Sequence, residues 1–211
     1  NQKEMFDRAL AESLADLPAD EGRETGLDLG RFVADKILEL RRDDGSTRAK
    51  ADYQPRPQPG VWEPTLPRRQ AALYPNWGLV APFGIKPGTQ HKPAAPAALD
   101  SATYTAAFRE VKLLGAKNSP TRTEEQTQIA LFWWESSPLK WNRIARTVSR
   151  GQGLGLWENA RLFGLLNVAL ADGYIAMADT KNHYNYWRPV TAIRNGDADG
   201  NPETTGDPTW T

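Results

Sequence analysis

The 211 residues carry 26 basic and 26 acidic side chains, a formal net charge of zero, 39% hydrophobic residues and no cysteine, a size and composition that suit one folded domain and exclude a disordered chain. The balanced charge removes the basic footprint that phosphate-backbone binding needs, so no nucleic acid is expected as a partner. Without cysteine there is no disulfide, no thiolate metal site and no cysteine nucleophile. The longest apolar segment, 162–171, is interrupted by Gly164 and Asn167, short of the roughly 18 to 20 apolar residues of a bilayer crossing, so no membrane span is expected and the chain reads as soluble. It opens on Asn1 without a leader pattern, which leaves the compartment undetermined, export with a removed leader included.

Seven Val and six Ile never alternate with polar residues in a run, so an all-α fold is expected: a helical bundle with a long, ordered, proline-rich wrap. The divisions are N-terminal helices over 1–50, the wrap over 51–99, a helical core over 100–194 and a polar loop over 195–211. Met5, Phe6, Ala9, Leu10, Leu14 and Leu17 recur at three and four, predicting a helix stopped by Pro18. Leu29, Phe32, Val33, Ile37 and Leu40 predict a second, closed by Asp43-Asp44-Gly45 as a turn rather than a metal site.

Ten of the sixteen prolines fall between 53 and 96, where neither helix nor central strand can run. Trp62, Leu66, Leu73, Tyr74, Trp77, Leu79, Val80 and Phe83 lie in the same stretch and supply apolar anchors that a solvated linker lacks. Tyr104 to Leu114 predicts a helix ended by Gly115. Thr121-Arg122-Thr123-Glu124 has the spacing of a capping box for the next helix, and Ser137-Pro138 starts another. Trp133, Trp134 and Trp141 sit at helical spacing and are expected in the core. Gly151 to Gly155 lacks the third glycine of a dinucleotide loop and separates helices. The helix from Leu156 to about Thr180, rich in Ala and Gly, is expected at the centre of the bundle, its small residues letting neighbours approach.

Lys181-Asn-His-Tyr-Asn-Tyr-Trp-Arg188-Pro189 sets two cations among aromatics. Seven residues apart, Lys181 and Arg188 would lie near one helix face and could converge on one tetrahedral oxyanion, a point charge beside a planar fork of donors. Pro189 disfavours helix at Arg188. The bland reading puts both cations on the rim of the bundle over packed aromatics.

Lys181, six intervening residues, Arg188 and Pro189 resemble the first signature of the vanadium-dependent haloperoxidase and type 2 phosphatidic acid phosphatase superfamily. The flanks Asn167 to Asp172 and Trp187 to Arg194, with Gly60 to Thr65, Pro75 to Gly78 and Arg122 to Gln126, resemble its bacterial haloperoxidase-related branch. The resemblance implies a helical bundle in which Lys181 and Arg188 bind the equatorial oxygens of vanadate, with His183, Tyr184 and Trp187 as candidate pocket lining. Peroxide and halide would be the small-molecule substrates. Because phosphate has the same tetrahedral shape, a phosphomonoesterase on this scaffold is the alternative. A non-catalytic helical binding or assembly module is the reading from another class.

Two further signatures of the family, Pro-Ser-Gly-His and Ser-Arg followed by a histidine, do not occur before Thr211, and the two histidines, His91 and His183, match neither. The resemblance therefore implies the N-terminal part of a larger haloperoxidase-like domain. It would be inactive alone, with no metal ligand of its own, and completed by a C-terminal chain that carries the apical histidine. Homo-oligomer formation is left undetermined. Asp197, Asp199, Asn201 and Glu203 alternate like a calcium loop, but Gly200 falls at the fourth position and Pro208 at the closing one, so a polar loop is expected instead.

Overall fold

A computed structural model describes residues 1–48, 56–87 and 92–211. The chain divides into two compact units, Asn1–Asp44 and Gly45–Thr211; the division drawn from sequence at 50/51 lies outside the described residues.

In the first unit, α1 (Gln2–Ala15) is capped by the Asn1 side chain, which accepts from the Lys3 N–H at 3.1 Å. Helix α2 (Glu21–Leu40) is capped by Asp20, which accepts from the Arg23 N–H at 3.0 Å. The apolar stripes run at the expected spacing, yet neither helix buries a residue. Asp44 ends α2 as a turn residue, paired with the Arg41 guanidinium at 2.9 Å.

The second unit holds α3 (Ala102–Leu114), α4 (Glu124–Trp134), α5 (Ser137–Gln152), α6 (Leu156–Tyr184) and α7 (Pro189–Arg194). No strand occurs among the described residues, only an isolated bridge between Val61 and Tyr186. Tyr104 and Phe108 of α3 meet Trp187, Ala192 and Ile193 in the main core, with Leu99 and Trp210 packed against it. A smaller core joins Val80 to Ile175 of α6, with Trp77 beside it.

The wrap is ordered where it is described, and α6 holds it. Buried Asp172 accepts the backbone N–H groups of Phe83 at 2.6 Å, Gly84 at 2.7 Å and Ile85 at 3.2 Å. The short 3-10 helix Trp77–Leu79 lies so close to α6 that a Cβ on Gly78 would sit 2.5 Å from the Cα of Asp179. The close approach thus comes from a wrap glycine. Gly164 and Gly173, expected to admit neighbouring helices, have nothing within 4 Å of an added Cβ.

Two local expectations are corrected. The capping box of α4 is centred on Thr123 and Gln126, which bond reciprocally at 3.1 and 2.9 Å. Thr121 is outside the helix because Arg122 turns back to cap α3, its guanidinium donating to the carbonyls of Leu114 and Ala116 at 2.7 Å. Trp133, Trp134 and Trp141 are not core: they stay 52%, 88% and 40% exposed, because α4 and α5 turn this aromatic face away from the rest of the described unit. Beneath it, the buried Lys140 ammonium lies 4.3 Å from the Phe132 ring centre and 5.3 Å from that of Trp133, where ring quadrupoles attract it.

Helix α6 runs four residues past Thr180. It is not enclosed: Leu165 and Met177 are half exposed, so its role among the described residues is to carry α5 and the wrap rather than to sit at the centre of a bundle. Asn142 of α5 and Asn167 of α6 exchange amide hydrogen bonds at 3.1 and 3.2 Å, which explains a polar residue in that apolar stretch. Among the described residues α6 alone is long and apolar enough to cross a membrane by length and composition.

The 195–211 loop folds onto its own polar side chains. Asp199, buried, accepts from the Asn201 N–H at 2.8 Å, the Thr204 hydroxyl at 2.8 Å and the Tyr104 hydroxyl at 3.3 Å. The Asn201 amide donates to the Leu99 carbonyl at 2.7 Å. Asp197 accepts from the Gly206 N–H at 2.8 Å. These carboxylates serve backbone and hydroxyl donors, and no metal-holding cluster occurs among the described residues.

Burial, then the charge of Asp199, raises the Tyr104 hydroxyl well above the ordinary phenol range. A raised folded-state pKa contributes stability below the unfolded value, about 10 for tyrosine, and that contribution is lost as pH rises through and beyond it. Urea melts between pH 8.5 and 11 should therefore show stability falling with pH, and Tyr104→Phe should flatten the fall. An unchanged slope would remove Tyr104 as its source.

Candidate functional site

Lys181 lies in the last turn of α6. The helix stops at Asn185, which adopts the left-handed conformation (φ 46°, ψ 41°) and returns its N–H to the Lys181 carbonyl at 2.9 Å; asparagine is one of the few residues that enters this region readily. The chain then extends for three residues. Pairing holds that extension in place: the Trp62 N–H donates to the Asn185 carbonyl at 2.8 Å and the Trp187 N–H to the Gly60 carbonyl at 3.0 Å. Arg188, extended at φ −79° and ψ 154°, precedes α7, with Pro189 as its first residue.

Lys181 and Arg188 therefore do not share a helix face. They come together because the Asn185 cap reverses the direction of the chain and the wrap fixes the returning segment. Both line one cavity of about 310 Å3, together with Trp62, Thr65, Arg68, Gln70, Asn182 and Tyr186. Among the described residues its lining contains no Asp or Glu. Among the described residues neither Lys181 nor Arg188 forms an ion pair: the partly buried lysine pair next along the chain, Lys92 with Asp179 at 3.1 Å, uses a different lysine. The cavity thus concentrates uncompensated positive charge beside neutral amide and hydroxyl groups. That donor set suits an oxyanion and leaves a cationic ligand without a partner.

His183, Tyr184 and Trp187 do not line this cavity. The Tyr184 hydroxyl donates to the Pro93 carbonyl at 2.6 Å and its ring meets His183 edge-on at 4.8 Å. Trp187 is 5% exposed and belongs to the main core. For Trp187 the reason is the turn at Asn185, after which the extended link carries its ring to α3; His183 and Tyr184 lie in α6 itself, before that turn. Tyr186 lines the cavity instead, and burial raises its hydroxyl above the ordinary range, with Asp199 adding to the rise. His91 lies outside the described residues. Arg68 also lines the cavity, and nothing local to Pro67-Arg68-Arg69 in the sequence links it to a motif so far downstream.

Comparison with known proteins bears on this geometry. Residues 161–211 match the family model described as the VCPO second helical-bundle domain. Over 130 residues the chain is 32% identical to the vanadium chloroperoxidase of Curvularia inaequalis, covering 53% of this chain and 21% of that protein. The crystal structure described as the first bacterial vanadium-dependent iodoperoxidase superposes with a TM-score of 0.64 at 28% identity, covering 79% of this chain and 44% of that one. The chain spans less than half the length of either relative.

Proposed function

We propose, from its similarity to vanadium-dependent haloperoxidases, that the chain is part of such an enzyme and supplies Lys181 and Arg188 to the oxyanion site at which halide is oxidised with peroxide. The observation that carries this reading is that both cations line one cavity in which no described residue is a carboxylate. Lys181 neutralises oxyanion charge as a point donor, while Arg188 presents its planar fork. Asn182, Thr65 and Gln70 offer neutral hydrogen bonds that orient the anion. When bound, vanadate would supply the Lewis-acidic centre at which peroxide is activated.

Among the described residues no histidine lines the cavity. The apical ligand and the acid-base histidine accordingly come from a complementary C-terminal part, without which the chain is inactive. The half-exposed apolar faces of α4, α5 and α6, with Phe132, Trp133, Leu165 and Met177 among them, support a covering partner of that kind, as does the share of each relative left unmatched. Both relatives are peroxidases by their descriptions, which favours halide oxidation over ester hydrolysis.

The test compares residues 1–211 with the full-length protein in orthovanadate, peroxide and each halide. Activity is expected only in the latter. Lys181→Ala or Arg188→Ala should weaken orthovanadate binding by about five- to 150-fold, or about 1 to 3 kcal/mol per lost charged contact. A full-length protein that hydrolyses phosphomonoesters and oxidises no halide would establish the phosphatase reading instead. Unchanged binding and activity in both variants would leave a non-catalytic helical module.

A further inference from the structure

We propose that Arg68, carried by the proline-rich wrap, is a third anion-binding cation of the same cavity, so that the wrap is part of the oxyanion site and not only a clasp on the helices. The proposal rests on the oxyanion reading of Lys181 and Arg188. Its own support is the local geometry of residues 65–69. The Arg69 N–H donates to the Thr65 carbonyl at 2.9 Å, closing a tight turn, and Arg69 takes the left-handed conformation at φ 43°. That turn sends two successive arginines to different cavities. Arg69 faces one of about 400 Å3 that also contains Glu63, a carboxylate able to balance it, and Arg194. Arg68 faces the cavity of Lys181 and Arg188, where there is none. Among the described residues neither Arg68 nor Arg69 makes an ion pair, so the two differ in the cavity that each lines.

The position of this turn is held independently of any ligand. Six residues upstream, Trp62 is buried at 8% exposure and hydrogen-bonded through its backbone to Asn185, the residue that ends the lysine helix. The segment that delivers Arg68 is therefore tied to the one that delivers Lys181 and Arg188. Arg68, Lys181 and Arg188 are each exposed to solvent where they line this concave space, so an anion can reach all three, and a tetrahedral oxyanion has enough oxygens to accept from them. An arginine reaching in from a separate segment would also tighten the site around a bound anion, because its fork offers two parallel donors.

The experiment titrates the full-length protein with orthovanadate and with inorganic phosphate, comparing Arg68→Ala, Arg68→Lys, Arg69→Ala, Lys181→Ala and Arg188→Ala. For Arg68→Ala a loss of about tenfold in affinity for both anions is expected, with an unchanged melting temperature. Arg68→Lys should recover part of the loss because it keeps the charge, and Arg69→Ala should bind like the unaltered protein. If Lys181→Ala and Arg188→Ala lose affinity while Arg68→Ala does not, the third cation is overturned and the oxyanion reading survives. Equal losses from Arg68→Ala and Arg69→Ala, or no recovery with lysine, would also overturn it, since a general or structural effect would then account for the change. Unchanged affinity in both Lys181→Ala and Arg188→Ala would overturn the shared site itself.

Discussion

Replacing Asp172 by alanine is expected to destabilise the Gly45–Thr211 unit by about 3 kcal/mol, the largest effect of any single side chain outside the cavity. Its carboxylate is 4% exposed and takes three consecutive backbone N–H groups, those of Phe83, Gly84 and Ile85. Hydrogen bonds to a charged acceptor contribute about 1.5 to 3 kcal/mol each, and their sum is reduced here because water can reach the freed loop. Asp172→Asn keeps the shape but offers one oxygen and one amine to a set of donors only, so it should recover less than half of the loss. Urea melts measure the totals. Amide exchange should locate the effect, with faster exchange at 83–85 preceding any change in α3 or α7. A loss below about 1 kcal/mol would mean that the wrap is held by its apolar anchors alone.

The second large effect is expected from the smallest substitution. A methyl group at Gly78 would meet the Asp179 backbone, with the nitrogen at 2.6 Å and Cα at 2.5 Å. A helix backbone cannot rotate away as a side-chain tip can, so the 3-10 helix Trp77–Leu79 must lift off α6. Overpacking of this kind costs about 1 to 3 kcal/mol, and more where neither side yields. Because Trp77 and Val80 pack with Ile175, Gly78→Ala should also open the smaller core, which a red shift in tryptophan emission would report. Gly173→Ala is the matched control: its added Cβ meets nothing within 4 Å, and the gain in helix propensity, about 1 kcal/mol, should stabilise the chain. If the two substitutions behave alike, the close approach of the wrap to α6 is not what makes Gly78 necessary.

These two contacts bear on the cavity. Asp172 and Gly78 pin the wrap to α6 on one side, and the pairing of Gly60 and Trp62 with 185–187 pins it on the other. Arg68 lies between these anchors. Loosening the first set should therefore lower oxyanion affinity along with stability, whereas altering Lys181 or Arg188 should lower affinity alone.

The sequence by itself determined the helical class and most element boundaries, and it singled out the two cations that the proposed site uses. Apolar residues at three and four report one helix face whatever covers it, prolines exclude regular structure wherever they cluster, and Pro189 disfavours a continuous helix through Arg188. All of these are properties of neighbours along the chain. Tertiary structure alone decided how Lys181 and Arg188 meet, which aromatics line the cavity, and that Arg68 joins them. The left-handed cap at Asn185 costs little for asparagine and leaves almost no trace in composition, yet it redirects everything after it. Likewise, whether Trp133 or Trp141 is buried depends on what packs over α4 and α5, and no local pattern encodes that. A helical stripe declares that a surface is apolar; only the packed fold declares what meets it.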